Sequence, residues 1–137
     1  MPYETFEHTA DLGLRVRADD LNTLFADAAR GLFSIIVTDL DSIRPSQSVS
    51  IAVEGDVSDL LLFDWLNELL YIYDVRRLLL CRFEVEVGPS GLVATAHGEP
   101  TDPARHALDH EVKAITYHGL KLEQQASRWL AEVIVDI

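Results

Sequence analysis

Leu14-Arg15-Val16-Arg17-Ala18-Asp19-Asp20-Leu21-Asn22-Thr23-Leu24-Phe25 changes its apolar period in the middle, and that change decides the fold class. Up to Ala18 apolar residues alternate with arginines, which puts Leu14, Val16 and Ala18 on one face of a half-buried strand. Asp19-Asp20 offers a carboxylate as helix N-cap. Beyond it Leu21, Leu24, Phe25, Ala28 and Leu32 recur at helical spacing, so a helix is expected to run to about Val37. A helix with one apolar stripe needs a sheet to cover it.

Upstream, His8-Thr9-Ala10-Asp11-Leu12-Gly13 reads as a polar, Gly-terminated turn in which Asp11 either closes an Asx-type turn or projects a carboxylate. Downstream, Thr38 to Ser48 has no period and reads as a loop. Val49, Ile51 and Val53 then alternate with polar or small neighbours as a second strand. Ser58 caps a second helix whose buried stripe is Leu61, Leu62, Trp65, Leu66, Leu69 and Tyr73. After Arg76-Arg77 the period returns to two. Phe83, Val85 and Val87 face Leu92 to His97 across the turn Gly88-Pro89-Ser90-Gly91, and Gly98 to Pro103 breaks regular structure. A last hairpin has the arms Glu111 to Leu122 and Trp129 to Val135.

Strand, helix, strand, helix and then antiparallel hairpins define an α+β two-layer fold, with two helices packed on one face of a mostly antiparallel sheet. No repeat, low-complexity tract or linker divides residues 1–137, so a single domain is expected. Hydrophobic residues make up 48%, enough for a sizeable core.

With 23 acidic against 11 basic residues the formal charge is −12, a field that repels phosphate, so no direct nucleic-acid binding is expected. A basic protein partner or a hard cation held by carboxylates suits that charge. One cysteine, Cys81, excludes an internal disulfide and a Cys-based zinc site. Its apolar neighbours Leu78-Leu79-Leu80 predict a buried, inert thiol. Met1-Pro2-Tyr3-Glu4 has no signal-peptide character and no stretch approaches the roughly 20 apolar residues of a membrane span, so a cytoplasmic location without membrane contact is expected.

No nucleophile elbow, P-loop or dinucleotide fingerprint is present. His106 and His110 have the i, i+4 spacing of a helical metal pair, but Pro100 and Pro103 upstream and a strand pattern from Glu111 make them two exposed loop histidines. Trp65, Trp129, Tyr71 and Tyr73 are read as packing residues. At Val135-Asp136-Ile137 an apolar strand ends beside an aspartate and a carboxylate, an arrangement that invites a cation if the strand end is held in the sheet. Lys113, sharing a strand face with Ile115 and Tyr117, reads as a snorkelling or salt-bridged lysine or as a functional one.

Four segments together resemble the archease family: His8-Thr9-Ala10-Asp11-x-Gly13, Trp65-Leu66-Asn67-Glu68-Leu69-Leu70-Tyr71, Glu111-Val112-Lys113-Ala114-Ile115-Thr116-Tyr117-His118-Gly119-Leu120, and Asp136-Ile137. They cover essentially the whole chain in the family's order. The resemblance implies a non-catalytic accessory protein of an RtcB-type tRNA-splicing RNA ligase. Such a protein promotes the ligase's guanylylation and multiple turnover and broadens its nucleotide cofactor use. It also implies a metal site formed by Asp11, Asp136 and Ile137, holding a divalent ion, calcium foremost with magnesium or manganese as alternatives. Lys113 falls on the family's functional lysine, so ligase activation is expected to depend on Lys113, Asp11 and Asp136.

Two other readings compete. A general chaperone or protein-modulating module, not dedicated to RNA ligation, requires a large exposed apolar patch, whereas the apolar stripes are expected to lie under the sheet. A small metal-dependent hydrolase requires a general base, and none stands out.

Overall fold

The computed structural model describes residues 2–8 and 11–137. Its elements are β1 (Tyr3–His8), β2 (Asp11–Ala18), α1 (Leu21–Ile36), β3 (Gln47–Glu54), α2 (Asp59–Arg76), β4 (Leu78–Gly88), β5 (Gly91–Pro100), β6 (Ala114–Gln125) and β7 (Arg128–Asp136). The strands form a four-stranded sheet, β1-β2-β7-β6, and a three-stranded sheet, β3-β5-β4, with every pairing antiparallel. Two helices over antiparallel strands are the α+β class expected; the division into two sheets is the tertiary detail. None of the helices is long and apolar enough to cross a membrane.

Both helices start where their caps predict. Asp20 Oδ1 accepts from the Thr23 amide at 2.7 Å and Ser58 Oγ from the Leu61 amide at 3.3 Å, each satisfying one of the amides a helix start leaves open. α2 ends at Arg77 in the left-handed region, φ 54°. α1 packs on β2 of one sheet and β4 of the other, so it joins them, while α2 lies mainly on β6. Gly31 permits the close approach of α1 to β2, because a Cβ there would stand 2.6 Å from Leu14 Cδ1.

Trp65 sits at the centre, fully buried, its indole N–H donating to the Phe25 carbonyl at 3.0 Å and its ring edge-on to Phe83. Phe83 stacks in turn on Phe33 at 6.0 Å. Each such burial contributes roughly 1.5–3 kcal/mol, and aromatic geometry adds to it.

Five local expectations are corrected. Residues 3–8 form an edge strand whose alternation is hidden because it packs only partly, and Asp11 to Gly13 belong to β2 rather than to a turn. β5 continues through Gly98 to Pro100, paired with Leu78 to Leu80, because Gly98 lacks the Cβ that would strike the Leu79 carbonyl. Tyr71 is 56% exposed, so it is no packing residue; it faces away from both sheets. Cys81 is only half-buried; burial still raises its thiol pKa, which keeps it inert.

The fifth correction concerns His106, which is 2% exposed rather than a surface residue. The Asp102 amide donates to its Nδ1 at 2.9 Å, so the proton sits on Nε2, 3.0 Å from Glu99 Oε2. Glu99 also accepts from the Arg44 amide at 2.7 Å and pairs with Arg105. This buried knot ties the 101–113 segment to the sheet. Backbone bonds from Thr38 to Ala107, Asp109 to Ile36 and His110 to Ile35 tie it to the end of α1. The segment therefore arrives at Lys113 along a defined path.

Candidate functional site

Register gathers the acidic and basic candidates at one end of the four-stranded sheet. The β2–β7 ladder runs unbroken from Asp11 opposite Asp136 to Ala18 opposite Trp129. Directly opposed residues of an antiparallel pair project from the same face, with Cβ atoms about 4.5–5.5 Å apart. Ala114 opens β6 opposite Asp136, and the amide of Lys113 donates to the Asp136 carbonyl at 2.8 Å. On the other flank His8, the last residue of β1, is the register partner of Asp11. Thr9 and Ala10 of the same motif lie outside the described residues. Ile137 follows Asp136 and packs against the core.

The outer face of this sheet is organised in rows across its strands. One row alternates in charge, with Glu4, Arg15, Glu132 and Lys121 from β1, β2, β7 and β6. Arg15 reaches Glu132 at 2.5 Å and Glu4 at 3.1 Å, and Lys121 reaches Glu132 at 3.6 Å. Hydrogen bonds from Arg15, then Arg17, lower the Glu4 pKa, and the bond to Glu132 foremost raises that of Arg15. The next row is Phe6, Gly13, Ile134 and Thr116; the Phe6 ring covers Gly13, where any Cβ would collide with it. The terminal row carries Asp11 opposite Asp136. Opposite charges facing across strands stabilise a sheet and like charges destabilise it, and the terminal row sets two acids at opposed positions.

β6 is interrupted beside this row. Thr116 pairs with Ile134 and the next pair is Lys121 with Glu132, so residues 117–120 bulge out, turning at Gly119 with φ 71°. Tyr117 stacks on Phe63 of α2, ring centroids 4.0 Å apart. Thr116 Oγ1, on the same face as Asp136 and one row away, is the one buried side-chain polar atom among the described residues without a hydrogen-bond partner. Lys113 does not share a face with Ile115: it precedes the strand and is exposed, whereas Ile115 is buried; Tyr117 is exposed because it belongs to the bulge. Sequence periodicity missed this because the bulge breaks the alternation. Thr116 carried no signal at all.

Two carboxylates at adjacent ladder positions fit a hard divalent cation by donor chemistry. Among the described residues no three His, Cys, Asp or Glu side chains converge, so the aspartates supply only part of the six to eight oxygens calcium takes. A hollow of 730 Å³ over the three-stranded sheet, between Ser50, Glu84 and Thr95, holds none of these residues.

Comparison with known proteins points one way. Residues 3–137 match the model of the Archease protein family. The chain is 44% identical to the protein archease of Methanopyrus kandleri, with 100% of both chains covered, and 39% identical to that of Pyrococcus furiosus, with 98% of both covered. The solution structure of Methanobacterium thermoautotrophicum protein 1598 superposes with a TM-score of 0.88 at 30% identity, covering 99% of each chain. The crystal structure of a Thermotoga maritima archease, described as a possible chaperone, shares the fold with a TM-score of 0.67 at 20% identity, over 98% of this chain and 96% of the other.

Proposed function

The chain is a member of the Archease protein family, and from that premise we propose that it is the accessory factor of an RtcB-type tRNA-splicing RNA ligase in the cytoplasm. In this role it promotes guanylylation and multiple turnover of the ligase and widens its nucleotide use. The observation that supports the reading most is the terminal row of the four-stranded sheet, where Asp11 opposes Asp136 and the Asp136 carbonyl holds the Lys113 amide.

Asp11, Asp136 and Ile137 would hold a divalent ion, calcium foremost, with magnesium or manganese as alternatives. Such an ion supplies neutralisation of developing phosphoryl charge. The chain's own groups do the rest. The ladder fixes the backbone positions of both aspartates before any partner arrives. Lys113, exposed at the same end, presents a cation to a nucleotide phosphate or a ligase carboxylate. The two aspartates supply only part of the six to eight oxygens calcium takes, which leaves positions open for oxygens of the ligase, its nucleotide or water.

The test is multiple-turnover RNA ligation by a cognate RtcB-type ligase with GTP and a divalent metal, with wild type and with folded Asp11→Ala, Lys113→Ala and Asp136→Ala. Wild type should convert single turnover to multiple turnover and each variant should lose most of that effect. Full stimulation by a folded Asp11→Ala protein overturns the site. A second reading, a more general protein-modulating module, is favoured by one observation: the outer side of α2 carries exposed Leu60, Tyr71 and Val75.

A further inference from the structure

Of the seven large hydrophobic side chains exposed among the described residues, five lie on α2 or against its N-terminal end: Val57, Leu60, Tyr71, Val75 and Tyr117, each between 39% and 59% exposed. Helical spacing puts Leu60, Asp64, Glu68, Tyr71 and Val75 on one stripe, which looks away from both sheets. α2 buries the half of its surface that carries Leu61, Leu62, Trp65, Leu66, Leu69 and Tyr73, while its outer half mixes exposed apolar side chains with acids. The acids of this outer face, Asp64, Glu68 and Asp74, are exposed, and among the described residues none has an ion-pair partner in the chain.

We infer that this stripe is a docking surface for a basic protein segment with its own apolar side chains, a site separate from the Asp11–Asp136 end of the sheet. Charge selects the occupant. A second copy of the chain would set three acids against the same three acids, and an anionic lipid or nucleic-acid surface would be repelled likewise. Lysine- or arginine-bearing protein satisfies Asp64, Glu68 and Asp74 while its apolar side chains cover Leu60, Tyr71 and Val75. The hollow at the C-terminal end of α2, between Asp74, Arg77 and Leu108, extends the same surface. Docking there ties affinity to α2 and leaves activation to the sheet end. The inference leans on the proposed function only in naming the ligase as the first partner to try.

Two double variants test it, Tyr71→Ala with Val75→Ala and Asp64→Lys with Glu68→Lys, all at exposed positions outside the proposed metal site. Binding to the cognate RtcB-type ligase should weaken by about tenfold or more in each, while stimulation at saturating protein stays at the wild-type level. Wild-type Kd in both variants overturns the docking surface and leaves the ligase reading intact. If wild type itself neither binds nor stimulates the ligase, that reading fails and a synthetic leucine–lysine amphipathic helix becomes the probe. Amide shift changes confined to residues 57–77 then uphold the surface, and changes scattered over the acidic exterior, or none, overturn it.

Discussion

Glu99 and Asp136 are two acids that the fold surrounds differently. Burial pushes the Glu99 carboxyl pKa up, but the Arg44 amide, Arg105 and His106 outweigh it and hold it at about 2. Because the folded pKa lies below the ordinary value of 4.5, ionised Glu99 stabilises the fold above about pH 4.5, and that contribution disappears as pH falls toward 2. Glu99→Gln should cost roughly 2–3 kcal/mol at neutral pH and flatten the stability profile between those limits, as followed by chemical denaturation. Asp136 instead faces Asp11. Asp136→Asn should leave metal-free stability unchanged or raise it by a few tenths of a kcal/mol, and should abolish any rise in Tm on adding calcium. A calcium-dependent Tm rise that persists in the variant would rule out Asp136 as a ligand. Asp136 was legible in the sequence as a placed acid; the Glu99 knot was not, because its partners lie at positions 44, 105 and 106 and meet only through folding.

At the level of elements, caps and periods told the truth and close approaches did not show. Asp20 and Ser58 start their helices as their residue types predict. Gly31 reads as a mild helix weakness, yet it is where α1 meets Leu14. Gly31→Ala should therefore destabilise by about 1–3 kcal/mol despite alanine's better helix propensity, measured by urea titration. The 117–120 bulge is invisible to a period-two reading, although Gly119 supplies the positive φ it needs. Its outward residue Tyr117 is pinned to Phe63, and Tyr117→Ala should cost about 0.5–1.5 kcal/mol and speed amide exchange in the bulge.

Across the whole molecule, a formal charge of −12 is spread so that the cations Arg15 and Lys121 are engaged within the four-stranded sheet. The field seen by an approaching protein is thus acidic, and association with a basic ligase should slow by about an order of magnitude from low to high salt while dissociation changes little, by stopped-flow fluorescence. An association rate indifferent to salt would remove electrostatic steering. The stripe Leu61, Leu62, Trp65, Leu66, Leu69 and Tyr73 is covered as expected, but the outer side of α2 keeps the further apolar residues Leu60, Tyr71 and Val75 in solvent. Helical period places Asp64, Glu68 and Asp74 on that side, but it does not show whether the apolar residues between them are covered.

The chain's own sequence determined the α+β class, both helix starts, the hairpin turn at Gly88 to Gly91 and the identity of the acids and the lysine, because these depend on side-chain chemistry and on periods that neighbouring residues carry. Tertiary structure alone decided that Asp11 opposes Asp136, that the Lys113 amide donates to the Asp136 carbonyl, that His106 is buried on Glu99 and that one side of α2 is left open. Each of these joins residues far apart in the chain, and a strand's register with a distant partner is set by the packing of the whole sheet and not by any window of sequence.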